Sequence, residues 1–402
     1  MQSVEIHSQK EYLAYSKKVH SYSTAVGRLL DLSASYVHDA EKAHRAGEID
    51  AVWTGIGGWE IPLIYSLGLT PVSFSEMGRL SDPVSIGIAE DYYQFPPETC
   101  SMVKCTVGQW HQRNDPGGIR RILGNSSVCE PYNLAWEIMK NEGFDVYNID
   151  VVYRGPGVDG KRLEQLVAFF VEQIYGVSEW LTGKREIDEE RLRHEIKKKN
   201  RVLAKVRKLL ELRIKHPFYI KSLAITYLLN GLNTYFGKPR EYEEVVDLLL
   251  EELSRAKGSE GDSQEVIPLV WAGGMGQEFG VYQAIDEAGG ALLGFRSFPF
   301  KNYREDVPPV EALARYVLDN QNAGASVYAR HVIEHEVSKV RARGLILYGY
   351  LGCSYGSVAR EMFRDYFHKK GIPSINLEGT FQVGAPTGQI LTRVKAFVEM
   401  LS

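Results

Sequence analysis

The 402 residues include 47 lysines and arginines against 51 aspartates and glutamates, a formal charge of −4. With no excess of cation to displace counterions, a nucleic-acid or anionic-membrane partner is disfavoured, and a small molecule or another protein is expected. Four cysteines in so long a chain do not make a disulfide framework, which leaves free thiols, a metal site or a redox centre.

In chain order, the opening stretch MQSVEIHSQKEYLAYS is polar and mixed in charge, unlike a secretory signal. No apolar run approaches a membrane span, LILYGYLGC being among the longest, so a soluble cytoplasmic protein is expected. DAVWTGIGGWEIPLIYSLGLTPVSF then reads as strand, turn, helix and strand, with Gly68 closing the helix. RRILGNSSVCEPYNLAWEIMKNEGFDVYNIDVV repeats the pattern, with Pro131 suited to a helix start and Gly143 to its end. From Asp188, Leu192, Ile196, Leu203, Val206, Leu210 and Ile214 form one stripe at helical spacing, and no strand signal follows until a polar linker at 256–265. The basic run KKKNRVLAKVRK inside it reads first as the solvated face of that helix, with a phosphorylated ligand or acidic partner as the alternative. EVIPLVWAGGMGQEFGVYQAIDEAGGALLGF and GLILYGYLGCSYGSVAREMFRDYFHKKGIPSINLEG complete the alternation, closed at Gly289 and Gly371.

Nearly continuous apolar strands alternating with helices imply parallel sheets covered on both faces. The expected fold is α/β: two doubly wound, Rossmann- or flavodoxin-like domains with a helical segment between them. The boundaries are residues 1–157, 158–258 and 259–402.

In such sheets ligands bind outside the carboxyl ends of the strands. Cys129 and Cys353 each fall in a strand-to-helix turn, and Cys100 follows PPE, a plausible helix start. Helix N-termini favour a thiolate, so three thiolates from three such starts could hold a metal centre in a cleft between the two α/β domains. Structural zinc prefers close ligand pairs, whereas three scattered thiolates with one open corner suit a [4Fe–4S] cluster; ordinary buried thiols are the alternative. Cys105 would lie about 140° around a helix from Cys100 and reads as a buried thiol. Glu60, in the first such turn, could serve proton transfer or simply face the helix dipole. TGIGGWE and GGMGQEFG look superficially like dinucleotide fingerprints but miss the spacing, and no P-loop is present.

With these segments in place, the sequence resembles the subunits of 2-hydroxyacyl-CoA dehydratases, of the 2-hydroxyglutaryl-CoA dehydratase D-component type, and of the related benzoyl-CoA reductases. The matching pieces are GWEIPLIYSLGLTPV, CSMVK at Cys100, SSVCEP at Cys129, GYLGCSYGSVAREMFRDYFHKKGIPSINLEG at Cys353, and the closing GQILTRVKAFVEML. The resemblance implies a [4Fe–4S] cluster on Cys100, Cys129 and Cys353, and a related second subunit in a hetero- or homodimer. It also implies a separate ATP-hydrolysing iron–sulfur activator. The implied reaction is an anaerobic lyase chemistry: one electron enters the thioester carbonyl of a 2-hydroxyacyl-CoA, the ketyl radical anion expels the hydroxyl, and proton loss and electron return give the enoyl-CoA. A benzoyl-CoA reductase subunit, or a non-catalytic electron-relay subunit, are the alternatives. Two departures stand out: GIGG precedes Glu60 where many catalytic members carry a polar group, and GT replaces an acidic residue after Glu378.

Overall fold

The computed structural model describes residues 9–55, 57–80, 83–125, 129–150, 154–256, 266–296, 301–319, 326–384 and 386–402. Two four-stranded parallel sheets organise them. The first contains β1 (Ala51–Thr54), β2 (Thr70–Ser73), β3 (Arg121–Asn125) and β4 (Asp145–Ile149) in the order β2-β1-β3-β4. The second repeats that order as β6-β5-β7-β8, from β5 (Ile267–Gly273), β6 (Gly290–Phe295), β7 (Gly344–Tyr350) and β8 (Ser374–Gly379). Gly68, Gly143, Gly289 and Gly371 all take the left-handed backbone that ends a helix, at φ between 73° and 84°.

Between the sheets lie the helices Gly160–Thr182, Glu189–Lys215, Ser222–Thr234 and Pro239–Arg255. Asp188 caps the second, its side chain accepting from the N–H groups of Glu190 and Arg191 at 3.1 and 3.0 Å. The basic run on that helix is only partly a solvated face. Arg201 and Lys205 pair with Glu243, and Lys205 also with Asp247, on the Pro239–Arg255 helix. Lys199 points inward instead: it is buried and donates to the Leu232 carbonyl. Most of the proposed linker at 256–265 lies outside the described residues.

Strand alternation divides the second sheet cleanly. Leu269, Trp271, Ile346 and Tyr348 enter a large core shared with the first sheet and the helical segment, whereas Val270, Ala272, Leu345 and Leu347 pack on the opposite face. The first sheet, the helices and one face of the second sheet therefore share a single buried interior. The N-terminal helix Thr24–Arg45 joins it too; at its start Ser23 donates to Glu252 at 2.5 Å. Among the described residues no helix is long and apolar enough to cross a membrane.

Candidate functional site

In a sheet of this order the connections diverge between the first and third strands, so a crevice opens outside their carboxyl ends. Those strands are β1 and β3 in one sheet and β5 and β7 in the other. Cys129 directly precedes the Glu130–Asn141 helix and is its N-cap residue. Cys353 occupies the matching place after β7, as N-cap of the Ser354–Lys369 helix. Cys100 is the N-cap of the Ser101–Gln112 helix. Each cysteine thus stands at the end of a helix where unpaired N–H groups and the dipole favour negative charge.

Cys100 belongs to the first domain but is seated on the second. The Ser101 N–H donates to the Leu351 carbonyl at 2.9 Å, and the Ser101 hydroxyl accepts from the Phe381 N–H at 3.1 Å. Gly352 lies against Glu98 and Thr99, with φ at +79°; a Cβ there would strike the Glu98 carbonyl. Lys104, one turn into the helix, is buried and bonds Glu90 at 2.5 Å and the Pro97 carbonyl at 2.6 Å, anchoring the segment that leads to Cys100.

The consequence is that thiols from opposite sheets act on one another. Cys353 is pulled down, first by the influence of the Cys100 thiol. The Gly356 N–H, 3.3 Å from the sulfur, and Arg360 add to this against the effect of burial. Cys100 moves upward in turn, as the partner that keeps its proton, and burial reinforces the shift. Cys129 is raised by burial and, to a smaller degree, by the charge of Cys353. Tyr132 and Tyr350 both feel the sulfurs of this group. Behind them stand Phe74, Trp110 and Trp136 in one domain and Trp271 and Phe381 in the other, giving the thiols an apolar backing.

Cys105 is fully buried on the Ser101–Gln112 helix, where the five-residue step turns it away from Cys100. Glu60 opens the Glu60–Ser66 helix and is wholly buried rather than open to a cleft. It accepts from the Thr54 hydroxyl at 2.9 Å. Its charge acts on Lys199, Tyr303 and Tyr316, groups of the helical segment and second domain. Burial draws Lys199 down to about 7 while Glu60 holds it up.

The two glycine-rich turns serve packing. A Cβ at Gly55 would lie 3.0 Å from the Phe74 ring, one at Gly274 2.5 Å from the Tyr350 ring and one at Gly276 2.6 Å from that of Tyr348. Sequence reasoning missed four residues here: Ser101 as the clamp between domains, Tyr350 beside the sulfurs, Arg360 with its partner Glu378 at 2.5 Å, and Glu278 in the second glycine turn. The strand order alone would have pointed to Glu278, since it follows β5 as Glu60 follows β1. Among the described residues, no group of three or more His, Cys, Asp or Glu side chains is arranged to hold a metal ion.

The chain matches a family model over most of its length. Residues 61–401 fit the profile of the 2-hydroxyglutaryl-CoA dehydratase D-component family, a range that contains Cys100, Cys129 and Cys353 and begins one residue after Glu60. No curated protein matches. The chain belongs to the 2-hydroxyglutaryl-CoA dehydratase D-component family.

Proposed function

We propose, from that membership, that the chain is the iron–sulfur subunit of a 2-hydroxyacyl-CoA dehydratase, which converts a 2-hydroxyacyl-CoA to the enoyl-CoA. In this reading it works with a second, related component and receives electrons from an ATP-dependent activator. The observation that carries the proposal is the placing of three cysteines at helix N-caps, two of them acting on one another across the domain seam, inside a chain of this family.

Thiolates are the donors that suit iron–sulfur clusters, and Cys100, Cys129 and Cys353 would hold the [4Fe–4S] group. A cluster takes its thiolates on different irons, so the ligands need not converge on one point as they must for a single ion. Bound there, the cluster would supply one-electron transfer and a Lewis-acidic iron. The chain's own contribution is electrostatic and steric. Three helix N-termini stabilise negative charge, Arg360 braces the Cys353 side, and aromatic rings back the site on one side.

The test is iron and acid-labile sulfide analysis of anaerobically prepared protein, followed by an assay with the activator, ATP, the second component and 2-hydroxyacyl- or aromatic acyl-CoA. Iron together with dehydration supports the reading. Iron with aromatic reduction moves the chain to the reductase branch. Absence of iron would leave the cysteines as packing residues and defeat the proposal.

A further inference from the structure

The residues in front of Cys100 and Cys353 lie backbone against backbone. A Cβ at Gly352 would fall 2.4 Å from the Glu98 carbonyl oxygen and 2.8 Å from the carbonyl carbon and oxygen of Thr99. Thr99 and Gly352, each one residue before a cysteine, therefore touch. The residue after Cys100 is fastened to the same segment, because the Ser101 N–H donates to the Leu351 carbonyl at 2.9 Å. A second strap, from the Phe381 N–H to the Ser101 hydroxyl at 3.1 Å, holds the helix start against the end of β8. Successive Cα atoms are only about 3.8 Å apart, so cysteines one step beyond touching residues are held as close neighbours. That is the arrangement a disulfide needs, with its Cα atoms separated by about 4.4–6.8 Å.

The side chains select the same pair. Cys100 and Cys353 are each the first influence on the other's thiol, whereas Cys129 feels Cys353 as the least of three influences. Cys105 is fully buried and turned away from Cys100 on its helix. The two partners also differ in a useful way. The Cys353 sulfur caps the Ser354–Lys369 helix and accepts from the Gly356 N–H at 3.3 Å, a setting that favours the nucleophilic thiolate. Cys353 is only half-buried and its neighbours Leu351 and Tyr355 are exposed, so a small oxidant can approach it, while Cys100 is buried.

We propose that Cys100 and Cys353 form a reversible disulfide across the domain seam in the metal-free chain, with a hydroperoxide as the oxidant. The Cys353 thiolate attacks one peroxide oxygen and breaks the O–O bond, giving a sulfenic acid and hydroxide, which takes up the proton that Cys353 had released. The Cys100 sulfur then displaces the sulfenic oxygen, and that oxygen leaves as water with the Cys100 proton. Two thiols lose two electrons and two protons, and one hydrogen peroxide becomes two waters. The bond ties the first domain to the second. It also occupies two of the three thiols assigned to the cluster, so the oxidised chain takes up none until a thiol reductant frees them; only this consequence rests on the function proposed above.

The full chain, prepared free of metal, is treated with stoichiometric hydrogen peroxide, denatured with a thiol-blocking reagent and mapped by peptide mass spectrometry without reduction. One cross-link between the Cys100 and Cys353 peptides is expected, with reactive thiols falling from four to two and returning after dithiothreitol. A link to Cys129 instead, four surviving thiols, or a Cys353 oxidised without a partner overturns the proposal. Oxidation in urea is the control. Cys129 stands 29 residues from Cys100 and Cys353 stands 253, so in the unfolded chain loop length alone should disfavour the Cys100–Cys353 link roughly 25-fold against Cys100–Cys129. The same product ratio in folded and unfolded chains overturns the proposal, because the seam would then select nothing. Cys100→Ser and Cys353→Ser should each abolish the link and Cys105→Ser should keep it; the map of the unaltered chain decides even where a variant misfolds. Ferrous iron and sulfide offered to the oxidised chain should be taken up only after reduction, and equal uptake before and after overturns the exclusion of the cluster. A chain that takes up no iron in either state defeats the functional reading alone, and the disulfide map still decides this one.

Discussion

The two sheets are built to one plan and finished differently. Each follows its first strand with a glycine-rich turn carrying a glutamate and its third with a helix-capping cysteine: Glu60 and Cys129 in one domain, Glu278 and Cys353 in the other. Topology therefore delivers equivalent groups to equivalent places. What surrounds them sets their chemistry. Glu60 has a hydroxyl donor and a lysine for company, whereas Glu278 has only tyrosines and one N–H. Cys129 is pushed up by burial, while Cys353, served by a thiol, a helix N–H and Arg360, is pulled down. Cys100, the member without a counterpart, makes the difference, because it crosses from the first domain to charge the cysteine of the second.

The largest expected effect breaks the site itself. Cys100→Ala, Cys129→Ala and Cys353→Ala should each lose bound iron on anaerobic analysis, and Cys105→Ala should keep it; equal loss in all four would show that Cys105 is a ligand too. Next comes the seam. Gly352→Ala should cost roughly 1–3 kcal/mol from left-handed backbone and more from the collision with Glu98. Gly183→Ala, at a comparable φ of 73° but facing open space, should cost only the backbone share, about 1–3 kcal/mol. Urea denaturation compares them, and equal costs would mean that the domains do not bear on each other at Gly352.

A subtler contrast separates the two glutamates. Glu278 is raised in the folded state, so the native protein binds the extra proton between the ordinary glutamate value and about 7. Its contribution to stability is complete at low pH and is lost as pH rises through that window, by about 3 kcal/mol at most. Replacing Glu278 with Gln should remove that loss from the pH profile of urea midpoints. Glu60→Gln should instead destabilise near neutral pH, because the buried Lys199 loses its compensating charge. The smallest effect belongs to the surface. Arg201→Ala, which breaks an exposed pair with Glu243, should change stability by about 0.2–1 kcal/mol.

Much of this was legible along the chain. Strand and helix alternate with different hydrophobic periods, and four glycines mark helix ends by a backbone that other residues avoid, so the α/β architecture could be read directly. Cys129 and Cys353 announced themselves by standing where strands hand over to helices, and Cys100 by following PPE at a helix start. Their electrostatic inequality could not be read, because it depends on Ser101 meeting Leu351 and Phe381, partners about 250 and 280 residues away. Lys199 looked like one more cation on a solvated helix, since nothing local tells which residues of a basic run turn inward. The GGMGQEFG turn looked superficially like a dinucleotide fingerprint because glycine signals only that something comes close; here it is the rings of Tyr348 and Tyr350.

The Ser101 clamp also carries a statement about time. On the ribosome the first two thiols emerge long before the third, and the roughly 250 residues between Cys100 and Cys353 take about 10 to 50 seconds to synthesise. Throughout that interval Cys100 has no surface to rest on, since its seat is made by Leu351 and Phe381, just after β7 and β8. A newborn chain therefore passes through a stage in which two of the three thiols of the site are exposed and unpaired, and any oxidant reaches them then more readily than at any moment after the second sheet closes over them.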